Sequence, residues 1–436
     1  MTRRALARAA VGAALLLVAG LALGGCGTES GERAARAACA RSKDACIEVG
    51  VGRPIYMGTL LLETDPSGID AKRSVALAVD YLDGAFDGED GELLGHPVTV
   101  LGEQEDCTPK GGVAGAKRLL LEPDLVAVIG TTCSAAAANA AATVLSRKSV
   151  LMISPSNTSP RLTDPEQHER FYFRTTFNDL IQGAVVANFA REELGARTAG
   201  VISVPDAYSK VLGDAFAQRF WGAGGRVTTR GSMTLEGSPD AAVAKLAAKP
   251  PDVAFLPLFE PACTRAVKAM RANPAFARTR VVVSEACQTP VLLRNAGPLA
   301  DGVYASGPDA SDMRRNAFYA DEFLPAYRRL YGQDPPSVFH APAFDAANLL
   351  FGAIRRSSVR LPGGELIIDR EQVRRAMLDV QNYRGLSGVL TCVSTGDCAQ
   401  SARIALYRAP AWPQVRPGAK PVFSQSLALS EVTGQG

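Results

Sequence analysis

Short, almost wholly apolar runs alternate with helix-like segments along most of this chain, and that alternation restricts the fold more than any other feature. DLVAVIG (124–130), VLMIS (150–154), DVAFLPLF (252–259) and RVVVSE (280–285) carry few polar residues. Strands read this way when both faces of a sheet are covered, which is the habit of parallel sheets. Between such runs lie segments of helical character. They include IDAKRSVALAVDYLDG (69–84), PKGGVAGAKRLLLE (109–122), CSAAAANAAATVLS (133–146) and AYSKVLGDAFAQRFWGAGG (207–225). Strand and helix in turn predict helices on both faces of a parallel sheet. The pattern restarts after FRTTFND (173–179), so two α/β lobes are expected, each a Rossmann-like doubly wound sheet. Longer helices follow around Met313–Tyr331 and Ala341–Arg356, with shorter strands near SGVLTC (387–392) and ARIALYR (402–408).

The amino terminus differs from the rest. Arg3, Arg4 and Arg8 precede a run from Ala9 to Leu23 built of Ala, Leu, Val and Gly, and then comes LGGC, ending at Cys26. A basic start, an apolar middle and small residues before a cut form an export signal. The apolar run is short for a membrane span. GTESGERAARAA, after Cys26, is expected as a polar tether. The 47 Lys and Arg include the three signal arginines, so the rest of the chain carries as many basic residues as its 44 acidic ones. Such a balance gives no electrostatic case for nucleic acid or an anionic lipid surface.

Nine cysteines fit an oxidising compartment. With Cys26 aside, Cys39 and Cys46 are close enough to close a small loop, as are Cys392 and Cys398. Cys107, Cys133, Cys263 and Cys287 remain, and spacing alone does not fix connectivity. No CxxC pair or Cys/His cluster has zinc spacing, so no metal is expected.

Catalytic signatures are missing. His96, His168 and His340 are far apart in sequence, and there is no HExxH, P-loop lysine or GxSxG elbow. No GxGxxG follows the opening strand, so no cofactor is expected.

Ligands of open α/β sheets gather beyond the carboxyl ends of the strands. There, DLVAVIG leads into Thr131, Thr132, Cys133 and Ser134 before an Ala-rich helix. Free amides and a hydroxyl at such a place suit a carboxylate. VLMIS leads into Pro155, Ser156, Asn157, Thr158 and Ser159. In the second run, one strand ends at Asp206, Ala207 and Tyr208, another at Phe259 and Glu260, and RVVVS at Glu285, an acid placed to hold a cation. Ordinary caps and turns use the same residue types.

The run EDCTPKGGVAGAKRLLLEPDLVAVIGTTCSAAAANAAATVLSRKSVLMISPSNTSPRLT, with FYFRTTFNDLIQGAVVANFAREELGA and the later APAFDAANLL, resembles the Leu/Ile/Val-binding proteins, a branch of the type I periplasmic binding proteins. The likeness runs from about Ile47 to Arg408. It implies two lobes joined by a three-strand hinge, closing on an amino acid or amino-acid-like molecule. It also implies a Cys107–Cys133 disulfide at the cleft edge. Ser134 then meets the ligand carboxylate, Ser156 offers a backbone carbonyl to the ammonium, and Thr158 contacts both. Tyr208 covers the ligand, Glu285 pairs with the ammonium, and Phe259 falls near a family aromatic. LGGC resembles a lipobox, which makes Cys26 the acylated residue. The departures are the Cys39–Cys46 extension and the additional Cys263–Cys287 and Cys392–Cys398 pairs.

The expected organisation is a lipoprotein signal at 1–25, a tether and extension at 26–46, lobe one at 47–175 and 306–384, lobe two at 176–305 and 385–410, and a tail at 411–436. Crossings are expected near Arg174–Asn178, Tyr304–Asp309 and Tyr383. The expected role is the monomeric capture subunit of an ABC importer, exported and lipid-anchored or periplasmic, with separate permease and ATPase partners. A ligand-sensing module for a receptor is the alternative, and a secreted enzyme the third reading.

Overall fold

The structure is a computed structural model that describes residues 26–42 and 45–434; the expected signal at 1–25 lies outside them. Two large sheets carry the fold. The first has six strands in the order Glu92–Leu93, His96–Gln104, Ile55–Leu61, Leu125–Gly130, Leu151–Ser154, Tyr172–Arg174. All pairs are parallel except the short edge hairpin. Leu125–Gly130 and Leu151–Ser154 are buried at every residue, which is why they lack the alternation of a half-exposed strand. Strand order reverses at Ile55–Leu61, which is flanked by a later strand on each side.

The second sheet has seven strands: Phe423–Ala428, Ser401–Arg408, Tyr304–Pro308, Arg280–Val283, Val253–Leu256, Thr198–Ser203, Arg226–Ser232. Its first two strands pair antiparallel and the other pairs are parallel, apart from the antiparallel contact of Ser401–Arg408 with Tyr304–Pro308. Here the order reverses at Thr198–Ser203. A small antiparallel sheet joins Cys46–Val49, Leu366–Asp369 and Val359–Arg360 beside the first lobe. The opening strand region thus divides at Pro54 into two strands in different sheets.

The chain passes between the sheets three times. Tyr172–Arg174 belongs to the first, whereas the next helix, Asp179–Glu192, packs on the second. After Tyr304–Pro308 the chain returns, and the helix His340–Ser357 packs on Pro66–Asp80 of the first lobe. The last passage differs from the expectation near Tyr383. Tyr383–Arg384 and Val389–Leu390 form a hairpin held to the first lobe by Asp345, which accepts from Leu386 N (2.8 Å) and Ser387 N (2.8 Å). The glycines there serve that turn, with Gly385 N donating to the Gly388 carbonyl. The chain leaves only at Asp397–Ser401. Arg174 and Asp397 form a fully buried ion pair that ties the first crossing to the third. A cavity of about 420 Å³ lies at this hinge, bordered by Thr175–Phe177, Pro308, Asp309 and Ala399.

Two terminal segments also depart from expectation. Residues expected as a loose tether form the helix Cys26–Arg41, where repeated Ala and Arg favour helix. The expected tail contains Phe423–Ala428, which pairs with Ser401–Arg408, and a helix at Leu429–Thr433. Its apolar face is small, with only Phe423 and Leu427 packed on the second-lobe core, so FSQSLA carries little strand signal. The sulfurs bond in the pairs Cys39–Cys46, Cys107–Cys133, Cys263–Cys287 and Cys392–Cys398.

Candidate functional site

Both reversal points put loops side by side at carboxyl strand ends, and these loops form two facing clusters. In the first lobe the loops after Ile55–Leu61, Leu125–Gly130 and Leu151–Ser154 are stitched together. Leu62 N donates to Thr132 Oγ1 (2.9 Å). Ser154 Oγ and Asn157 Nδ2 both donate to the Thr131 carbonyl (2.8 and 2.9 Å). Arg174 donates to the carbonyls of Asn157 (3.2 Å) and Ser159 (2.8 Å), on either side of Thr158. Gly130 allows the close approach, since a Cβ there would sit 2.2 Å from the Leu60 carbonyl oxygen, and its φ of +148° also favours glycine.

Within that frame, Ser134 Oγ accepts a long bond from Ser159 N (3.4 Å) and keeps its proton for another acceptor. Ser156 turns its hydroxyl inward to the Thr132 carbonyl (3.0 Å), so any contact it makes with a guest falls to its backbone, as the family resemblance implies. Thr158 is buried, and its hydroxyl has no hydrogen-bond partner among the described residues. Buried polar groups of this kind normally find a partner.

The second lobe faces this neutral cluster with acids. Tyr208 hydroxyl donates to Glu285 Oε1 (2.7 Å) and Gln182 Nε2 to Glu285 Oε2 (2.5 Å). Gln182 also donates to Ser306 Oγ (2.8 Å). Asp206 sets the Tyr208 backbone by accepting from its N–H (3.0 Å), and Phe259 packs on the Tyr208 ring at 4.7 Å between centroids. The expected residues Tyr208, Phe259 and Glu285 are therefore brought together, and Ser134, Ser156 and Thr158 are brought together opposite them.

One residue escaped the sequence reading. Asp179 is 0% exposed, and neither carboxylate oxygen has a hydrogen-bond partner among the described residues. Its backbone N–H donates to the Thr158 carbonyl (2.9 Å), which places it where the lobes meet. The Thr158 hydroxyl lies close enough to ease its ionisation without reaching hydrogen-bond geometry. Asp179 stands one helical turn before Gln182, so both share one face. An acid and an amide three apart in the otherwise apolar first half of the helix were the available signal.

Burial pushes the Asp179 carboxyl well above the usual carboxylate range, and the charge of Glu285 pushes it further. Glu285 is raised by burial, with Gln182 and Tyr208 pulling back. Arg174 is ion-paired with Asp397 and its charge eases Asp179 only at longer range, so among the described residues neither carboxyl of the site has an ion-pair partner. Such a pair attracts an ammonium. Further out, Asp65 of the first lobe and Glu260 of the second are both raised by burial, and the charge of Asp65 adds to the shift of Glu260. Glu260 Oε1 is buried without a partner among the described residues. The hinge cavity is separate, since none of Ser134, Thr158, Tyr208 and Glu285 borders it.

A family model described as periplasmic binding protein matches residues 54–408. An amino acid binding protein of Pseudomonas aeruginosa is 28% identical over 189 residues, 43% of this chain and 50% of that protein. A leucine-, isoleucine-, valine-, threonine- and alanine-binding protein of the same organism is 24% identical over 58% of this chain and 65% of its own length. The chain thus spans between half and two thirds of these curated relatives. Among solved structures, the leucine-binding protein LivK of Thermotoga maritima superposes with a TM-score of 0.71 at 20% identity, covering 86% of this chain and 99% of that one. The Streptococcus pneumoniae protein LivJ, in complex with isoleucine, gives 0.70 at 19%, with the same coverage. A benzoate-bound solute-binding protein from R. palustris gives 0.68 at 19%, covering 86% and 96%. These likenesses confirm the doubly wound two-lobed fold. The match spans most of the chain, and the chain belongs to the periplasmic binding protein family.

Proposed function

We propose that the protein captures a free amino acid between its lobes, with the carboxylate on Ser134 and Thr158 and the ammonium on Glu285 and Asp179. The carrying observation is the asymmetry of the clusters: neutral donors on one side, and on the other two buried carboxyls that form no ion pair among the described residues. A benzoate would bring a further negative charge to those acids and nothing to offset them, which favours a zwitterion over the aromatic acids bound by some structural relatives. The crossings at Arg174–Asp179, Pro308–Asp309 and Asp397–Ser401 act as hinges, and ligand favours the closed state because only closure completes both sets of contacts.

The transport role follows the relatives: delivery to a separate ABC permease and its ATPase, from a chain acylated at Cys26. No helix of the described residues is long and apolar enough to cross a membrane. Cys26→Ala should release the protein from the membrane fraction, and retention there would contradict acylation.

Asp65 and Glu260 favour a ligand whose side chain ends in a polar or basic group over a purely aliphatic one. A thermal-shift screen of the mature protein against the proteinogenic amino acids and benzoates tests both points. A ligand at about 100 times its Kd should add about 2.7 kcal/mol of stability. Stabilisation by benzoates alone would overturn the zwitterion assignment, and a preference for leucine over every polar or basic amino acid would overturn the role given to Asp65 and Glu260.

A further inference from the structure

Glu105 is 4% exposed, at the end of the strand His96–Gln104, and it touches neither facing cluster through a side chain named above. Its carboxylate instead bridges two backbone amides: Oε1 accepts from Cys133 N (2.9 Å) and Oε2 from Cys107 N. These are the two residues joined by the disulfide. The disulfide ties their side chains and leaves the peptide planes free to turn. The carboxylate fixes the planes, and Cys133 immediately precedes Ser134.

We propose that Glu105 is a positioning residue for the ligand carboxylate: its clamp on the Cys107 and Cys133 amides sets the attitude of Ser134, so that losing the clamp loosens the grip on the ligand. This rests on the assignment of Ser134 to the carboxylate. A neutral side chain at Glu105 cannot offer two charged acceptors to two N–H groups, and one of its oxygens becomes a donor facing a donor. Burial raises the Glu105 carboxyl to about 7, with the two amides pulling it down and Asp106 adding to the rise. The clamp is therefore poised to open on mild acidification.

The surrounding charges leave it in that state. Asp106 is engaged with Thr108 N (3.0 Å) and Thr108 Oγ1 (2.6 Å). On the helix packed beside the strand, Arg118 is held by Glu103 (2.6 Å) and the Gln104 carbonyl (3.2 Å). At the neighbouring strand end Glu63 pairs with Lys72 (2.7 Å). The loop opposite, from Thr131 to Cys133, presents amides and the disulfide, which does not titrate.

Asp179 and Glu285 also titrate, so the test compares wild type with Glu105→Gln at each pH rather than wild type with itself. In the ligand-free protein, backbone amide exchange over 131–136 is followed by mass spectrometry at about pH 8 and about pH 5.5, corrected for intrinsic rates. The variant should exchange at least about tenfold faster at the higher pH and match wild type at the lower. The Kd ratio for L-leucine and for L-threonine, by calorimetry, should follow the same pattern. Equal exchange at both pH values, or a ratio that does not change with pH, overturns the proposal, the second because a merely structural role would give it. If neither amino acid binds at either pH, the side chain of the ligand differs from both, and the exchange data alone decide the role of Glu105. Should Glu105→Gln fail to fold, the wild type alone must show faster exchange over 131–136 on acidification, and unchanged protection would refute the clamp.

Discussion

The two faces of the cleft solve different problems. The first lobe offers hydroxyls and amides on loops cross-bonded through Thr131, Thr132, Asn157 and Arg174. These hydroxyls and amides are uncharged, and most of them are satisfied before any guest arrives. The second lobe buries Asp179 and Glu285 together, and the charge of Glu285 raises the cost of ionising Asp179. A neutral, pre-ordered face gives orientation at low cost, whereas a face of buried like charges gives a strong preference for a cation and weakens the empty protein. The difference teaches which lobe should govern affinity and which should govern stability.

Glu285→Ala should break the comparison most. Removing it leaves the ligand ammonium short of its hydrogen-bonded acid, a loss of about 2–5 kcal/mol in binding by calorimetry. Unchanged affinity would remove Glu285 from the site. Asp179→Asn should weaken binding by about 1.5–3 kcal/mol, the range for a hydrogen bond to a charged group. It should at the same time raise the melting temperature of the empty protein at about pH 8. If it lowers both, Asp179 is a structural acid. Ser134→Ala, on the neutral face, should cost about 1.5 kcal/mol in affinity and leave the empty protein's melting temperature within a degree or so. Tyr208→Phe deletes one bond to Glu285 and should cost about 0.5–1.5 kcal/mol.

The pH dependence sharpens the same contrast. Asp179 and Glu285 have folded-state pKa values above their ordinary ones. Between the ordinary value of about 4 and the raised one, the folded protein holds more protons than the unfolded chain, so stability of the empty protein falls as pH rises through that window. Affinity for an amino acid should move the other way, since ionised acids hold the ammonium. Melting curves from about pH 5 to pH 8 should slope downward in wild type and flatten in Asp179→Asn. An upward slope that Asp179→Asn leaves unaltered would contradict the assignment.

Much of this was legible before the coordinates. Apolar runs such as DLVAVIG mark strands buried on both faces, and residues after such strands are candidates by position, a group that includes Ser134, Thr158, Tyr208 and Glu285; it was the family resemblance that singled these four out. Asp179 was not legible in that way, because an acid in the first turn of a helix reads as a cap-side charge facing water. Only packing shows that it faces inward. Glu105 was hidden for a related reason: its partners are backbone amides, which no side-chain pattern records. The third crossing was misplaced because the glycines at 385 and 388 serve a hairpin turn, while the passage itself is fixed by Arg174 reaching Asp397 across more than two hundred residues of sequence. The strand Phe423–Ala428 was missed since only Phe423 and Leu427 on it are apolar enough to mark a packed face.

The most direct measurement is a calorimetric double cycle: the tightest-binding amino acid and its des-amino analogue, each titrated into wild type and Glu285→Gln. If the acidic face holds the ammonium, deleting the amino group should cost several kilocalories in wild type and far less in the variant, a coupling of about 1.5 kcal/mol or more. Two losses that simply add would mean the ammonium and Glu285 never meet.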